Sequence, residues 1–163
     1  MIERFVFEIY LFQGSLGILF IRPTCIVLRD IMVKVVVNGI GTIGKRVAEA
    51  VKKQDDMELY GLSDVSASGQ LKTLLSEEGD LHGTDLYASN EDGLEKLQED
   101  GMHVEGIITD KVDEIDVVVD ATPAGIDEMN KENLYEPNGI KAIFQGGASD
   151  DIADVKFNAD ANY

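Results

Sequence analysis

Apolar and polar positions along residues 32–163 alternate between two periods, the short apolar runs of strands and the spacing of amphipathic helices. Residues 33–37 form an almost uninterrupted β-branched run, which suits a strand buried on both faces of a parallel sheet. Directly after it, Ile43, Val47 and Val51 fall on one helical face. Read in this way, the sequence predicts strands at 33–37, 57–62, 85–89, 104–108 (weakly), 116–121, 141–145 and 154–158. It predicts helices at 43–53, 69–77, 91–101 and about 126–135, with Asn90 as the N-cap of the third helix and Gly101 at its end. This alternation predicts an α/β fold with a doubly wound parallel sheet.

Residues 1–31 do not share this pattern. An apolar stretch at 5–21 is interrupted by Glu8 and, at 17 residues, only just reaches the lower limit for a membrane span. A targeting or membrane role and a structural extension are the alternatives, and we favour sequence upstream of the true start, with Met32 as the first residue of the domain. The predicted organisation is thus an N-terminal extension of doubtful origin, 1–31, and one folded domain, 32–163.

The composition narrows the classes of partner. The chain has 163 residues, the size of one domain, and its 44% hydrophobic and 28% charged residues are those of an ordinary globular protein. Its net charge of −17 disfavours nucleic acid and anionic membranes as partners. Adaptation to a salt-rich cell is the interpretation that we favour for this charge, over a merely very soluble surface.

The residues that commonly hold metals or form disulfides are sparse. Cys25 is the only cysteine, and His82 and His103 are isolated in the sequence. We therefore expect no intramolecular disulfide and no metal site, and the pattern favours a reducing cytoplasm.

A glycine-rich motif follows the first predicted strand of the domain and opens its first helix. Residues 38–44 read Asn-Gly-Ile-Gly-Thr-Ile-Gly, a Gly-x-Gly-x-x-Gly pattern in the context that dinucleotide binding requires. We expect Gly39 to permit the tight turn, Gly41 to let the backbone approach a pyrophosphate, and Gly44 to allow close packing of helix and strand. A glycine-rich turn without a ligand is the alternative.

An acidic residue lies at the position expected for ribose recognition. Asp64 follows Gly44 by 20 positions, at the end of the second predicted strand of the domain. A carboxylate there accepts hydrogen bonds from the ribose 2′-hydroxyl and repels a 2′-phosphate, so the cofactor is NAD or NADP with NAD favoured. The alternative is that Asp64 only forms a turn.

A second loop is expected to face the glycine loop across the crevice. Thr122 and Pro123 follow the buried strand at 116–121, and ligands of open α/β sheets bind outside the carboxyl ends of the strands. A plain turn is again the alternative. Gly147, in Gln-Gly-Gly after the next strand, is a similar case.

Four stretches together resemble the archaeal-type phosphorylating glyceraldehyde-3-phosphate dehydrogenases. They are Val-Asn-Gly-Ile-Gly-Thr-Ile-Gly-Lys-Arg-Val-Ala at 37–48, Asp-Asp-Met-Glu-Leu at 55–59, Val-Val-Asp-Ala-Thr-Pro-Ala-Gly-Ile at 118–126 and Ala-Ile-Phe-Gln-Gly-Gly at 142–147. The resemblance implies a Rossmann-like NAD(P)-binding domain of a glycolytic oxidoreductase. It also implies that Thr42 and Ile43 contact the pyrophosphate region and that Gly147 lies near the nicotinamide.

Two departures from the family pattern bear on specificity. Where the family often has a Thr-Lys or Lys-Thr pair suited to a 2′-phosphate, this chain has Ser63 and Asp64, which supports NAD. Where the family usually has an acid after Gln-Gly-Gly, this chain has Ala148, for which we have no interpretation.

The resemblance also implies which part of the enzyme is missing. In this family the cysteine of a Ser-Cys-Asn-Thr-Thr stretch attacks the aldehyde, and that stretch would fall after Tyr163; Cys25 precedes the first strand of the domain and cannot replace it. We therefore expect no catalytic residue in this chain and no catalytic α+β domain. Glyceraldehyde 3-phosphate, phosphate and the family's homotetramer would require the missing domain. The alternatives are a stand-alone dinucleotide-binding or sensing module and the cofactor domain of another semialdehyde or amino-acid pathway dehydrogenase.

Overall fold

The computed structural model describes residues 6–9, 21–24, 32–145, 149 and 151–156. The chain divides into two units, Met1–Ile31 and Met32–Tyr163. In the first unit, strands β1 (Val6–Ile9) and β2 (Ile21–Thr24) pair in antiparallel register. Among the described residues, no helix is both long and apolar enough to cross a membrane.

The second unit contains a five-stranded sheet in which all four strand pairings are parallel. Its strands are β3 (Val33–Asn38), β4 (Met57–Asp64), β5 (Leu86–Ala88), β6 (Val117–Asp120) and β7 (Ala142–Phe144). They lie in the order β5-β4-β3-β6-β7, so the chain moves outward from β3 in one direction and then in the other. The predicted α/β class and parallel sheet are confirmed, and the topological switch point lies between β3 and β6.

Helical segments cover both faces of this sheet. They are α1 (Thr42–Val51), α2 (Gly69–Leu75), α3 (Glu91–Glu99) and α4 (Ile126–Asn130), with a 3₁₀ segment at Ile108–Glu114 and a π-helical segment at Lys131–Tyr135 that continues α4. Because side chains alternate along a strand, Val35 and Val37 pack with α1, α2 and α3, whereas Val36 faces the 3₁₀ and π-helical segments. The two buried clusters that result hold the sheet between them, as a doubly wound fold requires.

Two predicted strands differ from the structure. No strand forms at 104–108, where only a bridge between Ala88 and Ile107 is present. Gly106 has a φ of 138°, which interrupts extended pairing, and the chain then turns into the 3₁₀ segment that buries Ile108. Of the strand predicted at 154–158, residues 154–156 are not extended in a sheet, and 157–158 lie outside the described residues.

The helix boundaries agree with the prediction to within two residues when α4 and the π-helical segment that continues it are taken together. Asn90 caps α3 as expected, because its Oδ1 accepts a hydrogen bond of 2.8 Å from the Gly93 amide. Gly101, with a φ of 78°, follows the end of that helix in the left-handed conformation. Helix α2 ends earlier than predicted, at Leu75, because Ser76 takes an extended conformation with a ψ of 165°.

Candidate dinucleotide-binding site

The glycine loop begins where β3 ends. Gly39 has a φ of 87°, and its amide donates a hydrogen bond of 2.8 Å to the carbonyl oxygen of Ser63 at the end of β4. A Cβ on Gly39 would stand 2.8 Å from Cγ2 of Thr122. The turn and the approach of the opposite loop therefore both require glycine at this position.

The other two glycines occupy different surroundings. A Cβ on Gly44 would overlap the carbonyl oxygen of Gly39, so this glycine allows α1 to lie close against the loop. A Cβ on Gly41 would meet no protein atom within 4 Å, which leaves open space above the backbone there. The predicted separate tasks of Gly39 and Gly44 have a direct geometric basis, and the approach of a pyrophosphate at Gly41 remains a prediction.

Helix α1 points an uncapped end toward that open space. No side chain caps its N-terminus at Gly41, and its first turn contains no acidic residue. The first amides of an α-helix have no partner within the helix, and together with the helix dipole they favour an anion. The loop therefore offers main-chain donors suited to phosphate oxygens.

Asp64 lies beside the glycine loop at the end of β4. Its Oδ2 accepts a hydrogen bond of 2.9 Å from the Ile40 amide, and its Oδ1 accepts one of 2.8 Å from the Val65 amide. The side chain is thus both a turn residue, as the alternative interpretation proposed, and a direct contact of the glycine loop. These two roles are compatible with a third, since each carboxylate oxygen has more than one lone pair.

A buried carboxylate organises the loop on the other side of β3. Oδ1 of Asp120 accepts hydrogen bonds from the amide and the hydroxyl of Thr122, at 2.8 and 2.5 Å. Its Oδ2 accepts from Tyr135 Oη at 2.6 Å and from Asn130 Nδ2 at 2.8 Å. Because Asp120 is 1% exposed, these four donors replace the water that its charge would otherwise require.

Asn38 connects the two sides beneath the cleft. Its Nδ2 donates a hydrogen bond of 2.8 Å to Tyr135 Oη, and its Oδ1 accepts one of 2.7 Å from Ser89 Oγ. Ser89 Oγ in turn lies 3.0 Å from Ser63 Oγ. Burial, together with the neighbouring Asp120 carboxylate, raises the pKa of Tyr135, so that its phenol stays protonated and can donate.

A cleft of about 640 Å³ opens at the carboxyl ends of β3, β4 and β6. The predicted site residues that line it are Asn38, Gly39, Gly41, Thr42, Asp64, Thr122 and Pro123. Gly44 is buried behind the loop, and Ile43 is 44% exposed on the first turn of α1 outside the cleft wall. Gly147 lies outside the described residues. The structure therefore gathers seven of the ten predicted positions around one space.

Several lining residues were not predicted from the sequence, namely Ser68, Gln70, Ser89, Asn90, Ile126, Met129 and Asn130. Ser89 and Asn90 follow β5, so the rule that placed Asp64 and Thr122 at strand ends would also have found them. For Gln70, whose Nε2 donates to the Gly41 carbonyl oxygen at 3.1 Å, the sequence carries no comparable signal.

The strand order, the glycine loop at the switch point and the crevice define a dinucleotide-binding domain of the Rossmann class. Within that class, the chain is similar to glyceraldehyde-3-phosphate dehydrogenases of archaea. It is 48% identical over 131 residues to the enzyme of Pyrococcus abyssi, 47% over 131 residues to that of Thermococcus kodakarensis and 43% over 133 residues to that of Sulfolobus acidocaldarius. The resemblance stated from the sequence is confirmed.

These matches cover 80 to 82% of this chain but 37% of each of the three relatives, in their N-terminal part. No protein-family model matches the chain. Among solved structures it is similar to apo scyllo-inositol dehydrogenase from Lactobacillus casei, with a TM-score of 0.41 and 16% identity over 72% of this chain and 29% of that one.

Proposed function

We propose that this chain is the NAD(P)-binding portion of a phosphorylating glyceraldehyde-3-phosphate dehydrogenase and that the cleft at the ends of β3, β4 and β6 holds the dinucleotide. One observation carries the proposal. The glycine loop meets Asp64 on one side and Thr122 on the other within a single cleft, which is the arrangement that the two halves of a dinucleotide require. The similarity to the archaeal dehydrogenases supports the same cofactor class.

Each part of the cleft has a proposed task. The open backbone at Gly41 and the uncapped amides of Thr42 and Ile43 suit the pyrophosphate, because nothing from the described protein occupies that space. Asp64 accepts hydrogen bonds from the adenosine ribose. We propose that Thr122 and Pro123 face the nicotinamide half; the family resemblance implies the same task for Gly147, which lies outside the described residues.

The proposal favours NAD over NADP. The Ile40 and Val65 amides hold the Asp64 carboxylate at the mouth of the cleft, where a 2′-phosphate would bring further negative charge against it. The net charge of −17 also favours NAD, because the 2′-phosphate gives NADP additional negative charge.

The nicotinamide supplies the hydride acceptor when it is bound, and this chain's residues bind and orient it. The sequence contains no Ser-Cys-Asn-Thr-Thr stretch, and we assign no catalytic residue to it. We propose that oxidation of glyceraldehyde 3-phosphate, use of phosphate and tetramer formation depend on the part of the relatives that this chain does not match. The single cysteine supports a reducing, cytoplasmic location.

Calorimetric titration of the full chain with NAD and with NADP tests the proposal. We expect NAD to bind more tightly than NADP by about tenfold, which corresponds to one unfavourable charge contact near the surface. Folded protein that binds neither nucleotide at millimolar concentration would contradict it.

Two substitutions at Asp64 separate its charge from its contact with the loop. Asp64→Asn keeps an oxygen acceptor for the Ile40 amide and removes the charge, so NADP affinity should rise toward that of NAD. Asp64→Ala removes both the charge and the oxygen acceptor, so it should weaken NAD binding in addition to removing the discrimination against NADP. If Asp64→Asn left the ratio of the two affinities unchanged, Asp64 would be a turn residue alone.

A further inference from the structure

One polar network lies at the base of the cleft: Ser89, Asn38 and Thr122 line the cleft, and Tyr135 and Asp120 lie behind them. It runs from Ser89 through Asn38 to Tyr135 Oη and on to Asp120 and Thr122, with hydrogen bonds between 2.5 and 2.8 Å. Its members come from the ends of β5, β3 and β6 and from the π-helical segment. The network therefore crosses the switch point, where the Ala121 amide also donates a main-chain hydrogen bond of 2.8 Å to the Asn38 carbonyl oxygen.

Tyr135 occupies the centre of this network. Its hydroxyl accepts a hydrogen bond from the Asn38 side chain and donates one to the Asp120 side chain. The hydroxyl of Tyr135 therefore links the side chains at the carboxyl ends of β3 and β6. The residue is 1% exposed and does not line the cleft. Its ring packs against Phe144, with ring centroids 6.1 Å apart. A bound nucleotide would not touch it.

The two ends of the cleft depend on this hydroxyl to different extents. On the Thr122 side, Asp120 holds the loop by its amide and hydroxyl, and Tyr135 is one of the two donors that hold Asp120 Oδ2. On the other side, the carboxylate of Asp64 is held by main-chain amides and forms no hydrogen bond with Asn38, Tyr135 or Asp120. The main-chain carbonyl oxygen of Asp64 accepts a hydrogen bond of 3.1 Å from the Ser89 amide.

Strand order assigns the two ends to the two halves of a dinucleotide. Asp64 ends β4 and Thr122 follows β6, and these strands flank β3 on opposite sides. A dinucleotide whose pyrophosphate lies on the glycine loop after β3 therefore places its adenosine ribose at Asp64 and its other half over Thr122.

We propose that Tyr135 is a positioning residue that holds the Thr122 loop in the conformation needed by the nicotinamide half of the dinucleotide, without contributing to the adenosine half. The inference rests on the proposed function. It goes beyond that function by assigning a selective role to a residue that contacts no ligand.

The test is binding of NAD and of AMP to the full chain carrying Tyr135→Phe, compared with the unsubstituted chain. The substitution retains the ring that packs on Phe144 and removes the hydroxyl. We expect NAD to bind about tenfold more weakly, as the loss of one buried hydrogen-bonding group predicts. AMP, which carries only the adenosine half, should bind with unchanged affinity.

Tyr60→Phe is the matched control. Tyr60 Oη also makes a short side-chain hydrogen bond, of 2.6 Å to Glu114, but Tyr60 does not line the cleft and its hydroxyl forms no hydrogen bond with the network residues. Its ring packs against the buried cluster that contains Tyr135. This variant should leave the affinities for NAD and AMP unchanged. A similar loss of NAD affinity in Tyr60→Phe would assign the effect to general loosening of the fold.

Equal losses of NAD and AMP affinity in Tyr135→Phe, or no loss of either, would overturn the inference while leaving the proposed function intact. Failure of the unsubstituted chain to bind NAD would instead overturn the proposed function. Should Tyr135→Phe not fold, Asp120→Asn, at a buried residue that does not line the cleft, weakens the acceptor of the Tyr135 hydroxyl and should produce the same preferential loss of NAD affinity. Equal losses in that variant would count against the inference in the same way.

Discussion

At Gly39 two constraints act on one backbone position. Its φ of 87° lies in the left-handed region, and a Cβ there would stand 2.8 Å from the Thr122 side chain and 3.0 Å from the Thr122 amide nitrogen. Gly83 has a similar φ of 76° but open space around it. Comparing substitutions at Gly39 and Gly83 therefore separates the free-energy cost of the backbone conformation from the cost of the contact between the two loops of the cleft.

Gly39→Ala should destabilise the protein more than Gly83→Ala. We expect about 1 kcal/mol for the left-handed conformation in each variant. Displacement of the Thr122 loop should add roughly 1–3 kcal/mol in Gly39→Ala alone. Urea unfolding of both variants measures the difference, and equal losses of unfolding free energy would show that the Thr122 loop moves aside freely.

At the scale of the element, helices α1, α2 and α3 differ in how their N-termini are capped. Ser68 Oγ accepts a hydrogen bond of 3.1 Å from the Leu71 amide, and Asn90 Oδ1 accepts from the Gly93 amide, so α2 and α3 both begin at a side-chain cap. Helix α1 begins without one. The starts of all three helices line the cleft, and among them α1 alone lacks a side-chain cap, which leaves its amides available to a ligand.

Asn90→Ala should therefore lower the unfolding free energy by about 1 kcal/mol, the usual cost of losing an N-cap. Asn90→Asp keeps an oxygen acceptor for the Gly93 amide and should change stability by a smaller amount. Thermal unfolding followed by circular dichroism compares the two variants. The same loss in both would mean that the cap hydrogen bond contributes nothing measurable.

At the scale of the whole molecule, negative charge dominates the surface. The chain carries 31 acidic and 14 basic side chains, and the ion pairs described in the structure involve mostly exposed groups. Exposed pairs of this kind contribute little stability, so repulsion among the excess carboxylates is the larger effect.

Salt should consequently stabilise the fold. Raising the salt concentration from 0.1 to 1 M shortens the screening length from about 10 to about 3 Å, which weakens repulsion between exposed charges. We expect the urea midpoint at pH 7 to increase with NaCl and to increase equally with KCl, because screening depends on ionic strength. A midpoint that falls with both salts would show that attractive pairs outweigh the repulsion.

The local pattern of residues 32–163 was sufficient to predict the order of the strands along the chain, the helix that follows each strand at 33–38, 57–64 and 86–88, and the cap at Asn90. These features depend on neighbours within a few positions, which the sequence displays directly. The strand predicted at 104–108 was wrong because Gly106 takes a φ of 138° and Ile108 is drawn into the core, and burial against distant residues decides such a segment.

The motif spacing predicted that Asp64, Thr122 and the glycine loop share one edge of the sheet, since the carboxyl ends of parallel strands meet there. Only the tertiary structure decided how these groups contact one another. The carboxylate of Asp64 reaches the Ile40 amide across 24 positions, and the hydroxyl of Tyr135 joins Asn38 to Asp120 across 97 and 15 positions. No local periodicity encodes such pairings, because hydrogen-bond geometry at a buried site depends on how separate elements pack.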